Sequence, residues 1–186
     1  MAADLAGSAQ VFLDTCCVLN LYATGRMGEI LSVLPERFAV ADAVLRESLY
    51  VRDLPSQEDW QAVDLTKIIA SELLMTASPD SEEEMSLLVS FAEHLGDGEA
   101  ATCALAVSRG GSMATDDRKA IRLLGSLEPP VRVMTTPFLL ERWCSLQAFS
   151  RQEIRKALQD VERRASFRPR ASDPLCAWWK MIVGWA

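Results

Sequence analysis

The sequence predicts an α/β domain built on a mainly parallel sheet with helices on both faces. Three observations lead there. Short apolar runs of strand length alternate with helix-like segments through residues 1–140. The first run, 10–14, is apolar up to a final acid, as a buried strand is. The chain has 186 residues, 49% of them apolar, which suits one domain with a sizeable core.

The elements follow in order. Residues 10–14 form a strand, then a helix runs from Thr15 to about Arg26 and another over 28–34, stopped by Pro35. Residues 37–41 make the second strand, and Asp42 caps a helix over 43–52 that carries Glu47. Residues 54–60 read as a loop, while 61–76 fit strand or helix equally. Ser81 and Glu84 form a capping box for a helix to about His94, so Glu82, Glu83 and Glu84 are helix-start charges. Gly96-Asp97-Gly98 breaks the chain, and Glu99 opens an alanine-rich helix whose small residues pack closely on a sheet. Gly110-Gly111 ends it. Residues 112–115 are the third strand, a helix runs from Asp117 to about Leu124, and 131–134 are the fourth strand. Thr136 caps a helix beginning at Pro137 and running to Phe149. Ser150 and Glu153 box a last helix to about Ala165. There is no internal repeat.

The net charge of −7 argues against a generic basic nucleic-acid coat. The charge is uneven, however: residues 1–141 carry −12 and residues 142–186 carry +5. A basic C-terminal segment beside an acidic body can contact phosphate, or can simply be a solvated helix face. The five cysteines are odd in number and lack Cys-x-x-Cys spacing, so they read as buried thiols of a reducing compartment. With His94 the sole histidine, zinc sites and histidine-based triads lack ligands and partners. No signal peptide or bilayer-length apolar stretch is evident, so a cytoplasmic, membrane-free protein is expected.

The chemistry-bearing residues are acids: Asp14 after the first strand, Glu47 in Val-Leu-Arg-Glu, Glu99 in Gly-Asp-Gly-Glu-Ala, and the pair Asp116–Asp117 after Met-Ala-Thr. Each alone fits a structural role as a cap or a solvated helix residue. Together, carboxylates gathered from distant segments repel unless a cation neutralises them. Oxygen-only ligation points to Mg²⁺ or Mn²⁺ and so to phosphate chemistry.

On these motifs the chain resembles PIN-domain proteins and is similar to the toxin ribonucleases of bacterial toxin–antitoxin pairs. The resemblance rests on Phe12-Leu13-Asp14-Thr15 with Asn20, Val44-Leu45-Arg46-Glu47, Gly96-x-Gly98-Glu99-Ala100 and Ala114-Thr115-Asp116-Asp117-Arg118. It continues through Val131–Val133, Thr135-Thr136 and Leu139-Leu140, spanning about 10–165. It implies a three-layer α/β/α fold for the domain, 1–165. The Trp-rich tail, 166–186, departs from the family's pattern, and its composition suggests packing on the domain or on a partner. The resemblance also implies a metal-dependent endoribonuclease that hydrolyses RNA without a covalent enzyme intermediate. Asp14, Glu47, Glu99 and Asp117 would be catalytic; Asp14, Glu99, Asp116 and Asp117 would hold Mg²⁺ or Mn²⁺; Thr15 and Thr115 would support them. Asp116 and Asp117 both remain open as the fourth acid. An RNA substrate, a small antitoxin protein and a homodimer are the partners it implies. A PIN-like scaffold that binds nucleic acid without cutting it is the alternative. A haloacid-dehalogenase-type phosphatase would need an acid two residues after Asp14, where Cys16 stands.

Overall fold

In a computed structural model, residues 10–47, 49–53 and 59–185 are described. The chain runs β1 (Gln10–Leu13), α1 (Thr15–Ala23), α2 (Met27–Val33), β2 (Arg37–Ala41), α3 (Asp42–Leu45), β3 (Tyr50–Arg52), β4 (Trp60–Ala62), α4 (Thr66–Ala70) and β5 (Leu74–Ala77). It continues with α5 (Glu82–Ala92), α6 (Asp97–Ser108), β6 (Ser112–Ala114), α7 (Arg118–Gly125), β7 (Val133–Met134), α8 (Thr136–Leu146), α9 (Arg151–Arg164) and α10 (Cys176–Val183).

Five of these strands form a wholly parallel sheet in the order β5-β2-β1-β6-β7. The central strand β1 is apolar because both its faces are covered. Val11, Phe12 and Leu13 are fully buried, each contributing roughly 1.5–3 kcal/mol of burial free energy. α6 lies against β1, β2 and β6, with α5 and α3 packed on it. It is buried on nearly all sides, which its alanines permit by letting backbones approach. The contacts among α1, α2, α8 and α9 build a second helical group. At Gly111 an added Cβ would sit 2.9 Å from both Gln10 O and the Phe12 ring, so β6 can lie against β1 only with glycine there. β3 and β4 form a separate antiparallel ribbon.

Several sequence expectations need correction. The helix expected over 43–52 is only Asp42–Leu45; Asp42 lies inside it, Ala41 holds the cap position, and Glu47 follows in a turn before β3. The segment 61–76 is neither one strand nor one helix: it holds the end of β4, then α4 and the start of β5, the edge strand of the sheet. The expected loop at 54–60 lies mostly outside the described residues. α6 begins at Asp97, two residues before Glu99. Thr135, not Thr136, caps α8, because the Thr136 hydroxyl is engaged inside the protein. The Ser150–Glu153 box forms in full. At Ser81 only half forms: its hydroxyl accepts from Glu84 N at 3.1 Å, but the Glu84 carboxylate turns to Asp80 N, Ser108 and Arg109.

The C-terminal tryptophans divide. Trp179 is fully buried, its indole N–H donating to Glu162 Oε1 at 2.9 Å, and α10 lies along α9. Trp143 is buried on α8 under the Arg26 guanidinium. Among the described residues no helix is long and apolar enough to cross a membrane.

Candidate active site

The strand order reverses between β1 and β6, since β2 and β5 lie to one side and β6 and β7 to the other. In open parallel sheets ligands bind beyond the carboxyl ends of the strands at such a point. Asp14 follows β1 there, and Thr115, Asp116 and Asp117 follow β6.

Asp14 is held on three sides. Its Oδ1 accepts from Thr15 N at 2.7 Å, and its Oδ2 accepts from Thr115 Oγ1 at 2.9 Å and from the Cys16 thiol at 3.1 Å. Burial raises its pKa above the ordinary carboxylate value; these hydrogen bonds offset part of that, and the Glu47 charge adds to it. Thr115 Oγ1 also accepts from Asp117 N at 3.1 Å, so one hydroxyl ties the ends of β1 and β6 together.

Glu47 arrives from the turn after α3. Thr15 Oγ1 donates to its Oε2 at 2.7 Å. Its carboxylate lies against the first turn of α6: a Cβ on Gly98 would overlap Glu47 Oε1 and stand 3.2 Å from Cδ. Glu99, the next residue, is half-buried, and its Oε2 reaches back to Gly96 N at a long 3.4 Å. Its pKa is raised by burial first, then by the charges of Asp14 and Asp117, with Glu47 adding less. Three carboxyls from three other segments therefore lie within electrostatic reach of Glu99.

The neighbouring aspartates play different parts. Asp117 caps α7, its Oδ1 accepting from Lys119 N at 2.6 Å and Ala120 N at 3.0 Å. Its Oδ2 accepts nothing from the described residues. Asp116 turns inward. Its Oδ1 accepts from Thr136 N at 2.9 Å, and its Oδ2 from Thr136 Oγ1 at 2.5 Å and Asn20 Nδ2 at 3.1 Å. Asp116 thus latches α1, the end of β6 and the start of α8. Burial raises its pKa, and the Thr136 and Asn20 bonds oppose that.

Cys16, Cys17 and Asp116 also bring ligand-type atoms within 4.8 Å of one another. Burial pushes the Cys17 thiol well up, so it stays protonated and faces the Thr136 hydroxyl at 3.4 Å. With Asp116 already saturated by donors, this group is a hydrogen-bonded core beside the acids rather than a thiolate cage.

A cavity of about 600 Å³ opens at this edge. Cys16, Glu99, Asp116 and Asp117 form one side, and the segment 166–174 faces them.

A family model described as a PIN domain matches residues 10–172. The chain belongs to the PIN-domain family. No curated protein and no solved structure matches it. The PIN fold is nuclease-like, and PIN domains generally use divalent cations. The residues here fit such an ion: the donors are carboxylate oxygens, Asp117 Oδ2 and Glu99 Oε1 take no hydrogen bond from the described residues, and Asp14 and Glu99 are raised by burial first and by neighbouring carboxylates second, both of which a cation would offset.

Sequence reasoning did not assign roles to Asn20 or Gly98 in this PIN domain, and it gave Thr136 a capping role in place of its bonds to Asp116. Asn20 and Gly98 stand inside the quoted motifs, but their tasks depend on partners far away in sequence. The arginines on the far side of the cavity were visible only as the positive balance of the C-terminal segment.

Proposed function

We propose that this PIN domain is a metal-dependent endoribonuclease. The observation that carries the reading is the gathering of acids from four segments: Asp14 and Asp117 beyond the carboxyl ends of β1 and β6, with Glu47 against the first turn of α6 and Glu99 within it, raised by burial and then by the neighbouring acids. So costly a gathering of like charges points to a site made for a cation.

Asp14, Glu99 and Asp117, with Glu47 at the rim, would hold Mg²⁺ or Mn²⁺; Asp116 serves as the latch behind them. When bound, such an ion neutralises the cluster, polarises a phosphodiester oxygen and lowers the pKa of a water. The chain's own groups do the rest. Thr15 N and the Thr115 hydroxyl fix the Asp14 carboxylate, and the Thr15 hydroxyl fixes Glu47. Glu99 Oε1, free of protein donors among the described residues, accepts a proton from the attacking water as general base. No nucleophilic side chain is required.

The test is cleavage of RNA with Mg²⁺ or Mn²⁺ by wild type, Asp14→Asn, Glu99→Gln and Asp117→Asn, each checked for folding by circular dichroism. Metal-dependent products from wild type alone are expected; equal activity in all four overturns the site. A scaffold that binds RNA would retain affinity and give no products. The toxin role, with a small antitoxin partner, is tested by induced expression: growth arrest by wild type but not by Asp14→Asn is expected, and unaffected growth refutes it.

A further inference from the structure

The cavity beside the acids has a second wall that the proposed hydrolysis does not use. Residues 166–174 face Glu99 and Asp117 across about 600 Å³, and they carry Arg168 and Arg170; Arg118 stands at the acidic side. These three arginines differ in what already holds them. Arg168 is committed: its guanidinium pairs with the buried Glu162 carboxylate at 3.4 Å and lies 4.9 Å from the Trp185 ring. Arg118 and Arg170 are exposed, and their guanidiniums form no ion pair or hydrogen bond among the described residues. Two uncommitted cations beside a cluster of carboxylates, with neither drawn into a salt bridge, are available to another anion.

The wall that bears Arg170 is anchored. Asp173 N donates to Arg170 O at 2.9 Å, Cys176 N to Asp173 O at 3.0 Å, and Leu175 N to Asp173 Oδ1 at 2.8 Å. Pro169 is buried, and Phe167 meets Trp179 edge-on at 5.8 Å. Asp173 also lines the cavity, but its carboxylate is engaged in this turn. The lining also holds apolar surface, Ile121 on the acidic side and Phe167 on the second wall.

We infer that Arg118 and Arg170 bind backbone phosphates of a single-stranded RNA on either side of the scissile one, with bases lying against Ile121 and Phe167. This deepens the ribonuclease reading and rests on it for the position of the scissile phosphate. A guanidinium matches the paired oxygens of a phosphodiester. Apolar and aromatic surface beside a basic track is how single strands are held without sequence preference. The volume suits a nucleotide-sized guest.

The test is anisotropy of a labelled mixed-sequence oligoribonucleotide, single-stranded or annealed to its complement, across a salt series. It is run in the Asp14→Asn background so that the probe is not consumed. Arg118→Gln and Arg170→Gln are each expected to lower the slope of log affinity against log salt by about 0.7, the increment for one phosphate contact on a single strand. Arg170→Lys should restore most of it. Arg37→Gln, which removes a charge at the start of β2 on the opposite sheet edge, should leave the slope unchanged. In the cleaving protein, Arg118→Gln and Arg170→Gln should raise KM and spare kcat. An unchanged slope in both variants, an equal drop in Arg37→Gln, or preference for the duplex overturns the inference and leaves the ribonuclease reading standing. Binding with these slopes but no metal-dependent products supports phosphate binding by the two arginines and overturns cleavage, and with it the placing of a scissile phosphate between them. No binding to either form overturns both.

Discussion

Gly98→Ala is the substitution whose sign depends most directly on the arrangement of the acids. Gly98 occupies the first turn of α6, where alanine is normally the better residue by about 0.5–1 kcal/mol. Here the new Cβ would overlap Glu47 Oε1, with Glu47 Cδ at 3.2 Å and Val44 Cγ2 at 3.3 Å. The overlapping atom is the end of an exposed, flexible side chain, so the carboxylate swings away and the fold survives. Its bond from the Thr15 hydroxyl, 2.7 Å long, is lost in the process. A hydrogen bond to a charged group is worth about 1.5–3 kcal/mol, and less at an exposed position such as this. Gly98→Ala should therefore destabilise the protein by about 0.5–1.5 kcal/mol and weaken Mn²⁺ binding by displacing Glu47. In a Glu47→Ala background the clash disappears and only Val44 must give by a few tenths of an ångström. There Gly98→Ala should be neutral or stabilising by up to about 0.5 kcal/mol. The four proteins form a double-mutant cycle, which cancels the relief of repulsion from removing the Glu47 charge and leaves a coupling of about 0.5–2 kcal/mol. Urea denaturation of all four measures it. An effect of Gly98→Ala with the same sign and size in both backgrounds would refute the contact and with it the placement of Glu47 against α6.

Three further outcomes are expected. Asp117→Asn should abolish Mn²⁺ binding by calorimetry while leaving stability within about 0.5 kcal/mol, because asparagine caps a helix as well as aspartate; Asp116→Asn should instead cost about 1–3 kcal/mol, since it disturbs the donors from Thr136 and Asn20. Without metal, Asp14 and Glu99 should make stability fall as pH rises above their ordinary values. Asp14 and Glu99 have folded pKa values above their ordinary 3.8 and 4.5, so they bind protons more tightly when folded, and that stabilisation is lost as pH climbs through the raised values. Added Mn²⁺ should accordingly raise the melting temperature most near neutral pH and little below pH 4; an equal rise at both would refute binding at these carboxylates. Arg109→Met should cost about 1.5–3 kcal/mol at neutral pH, because the buried Glu84 carboxylate loses its charge partner and keeps only the Asp80 N and Ser108 donors. Arg109 and its neighbours hold Glu84 down at about 2, below its ordinary 4.5, so this contribution is fully present above the ordinary value and fades as pH falls toward 2. Urea midpoints of both proteins across that window should converge, and a constant gap would refute the pairing.

What the sequence shows of this protein is what depends on near neighbours. The buried strands β1 and β2 are legible because an unbroken apolar run needs no distant partner to be recognised, and the Ser150–Glu153 box because its two bonds close within three residues. β5 is not legible. As an edge strand only Leu74 and Ala77 are buried, and four residues of mixed exposure carry no period. The helix expected around Glu47 fails because the chain there is recruited into the β3–β4 ribbon, a pairing that no local propensity encodes.

The acids divide along the same line. The sequence determined which residues are acidic and that they follow strands or open helices. The tertiary structure decided that Asp14, Glu47 and Asp117 lie within electrostatic reach of Glu99, and that both oxygens of Asp116 are taken by Thr136 and Asn20. Asp116 and Asp117 are alike in sequence; they part because Thr136 and Asn20, 20 and 96 residues away, offer donors to one while the start of α7 takes a single oxygen of the other. Carboxylates are sorted by the donors that surround them, and those donors are assembled only when the chain folds.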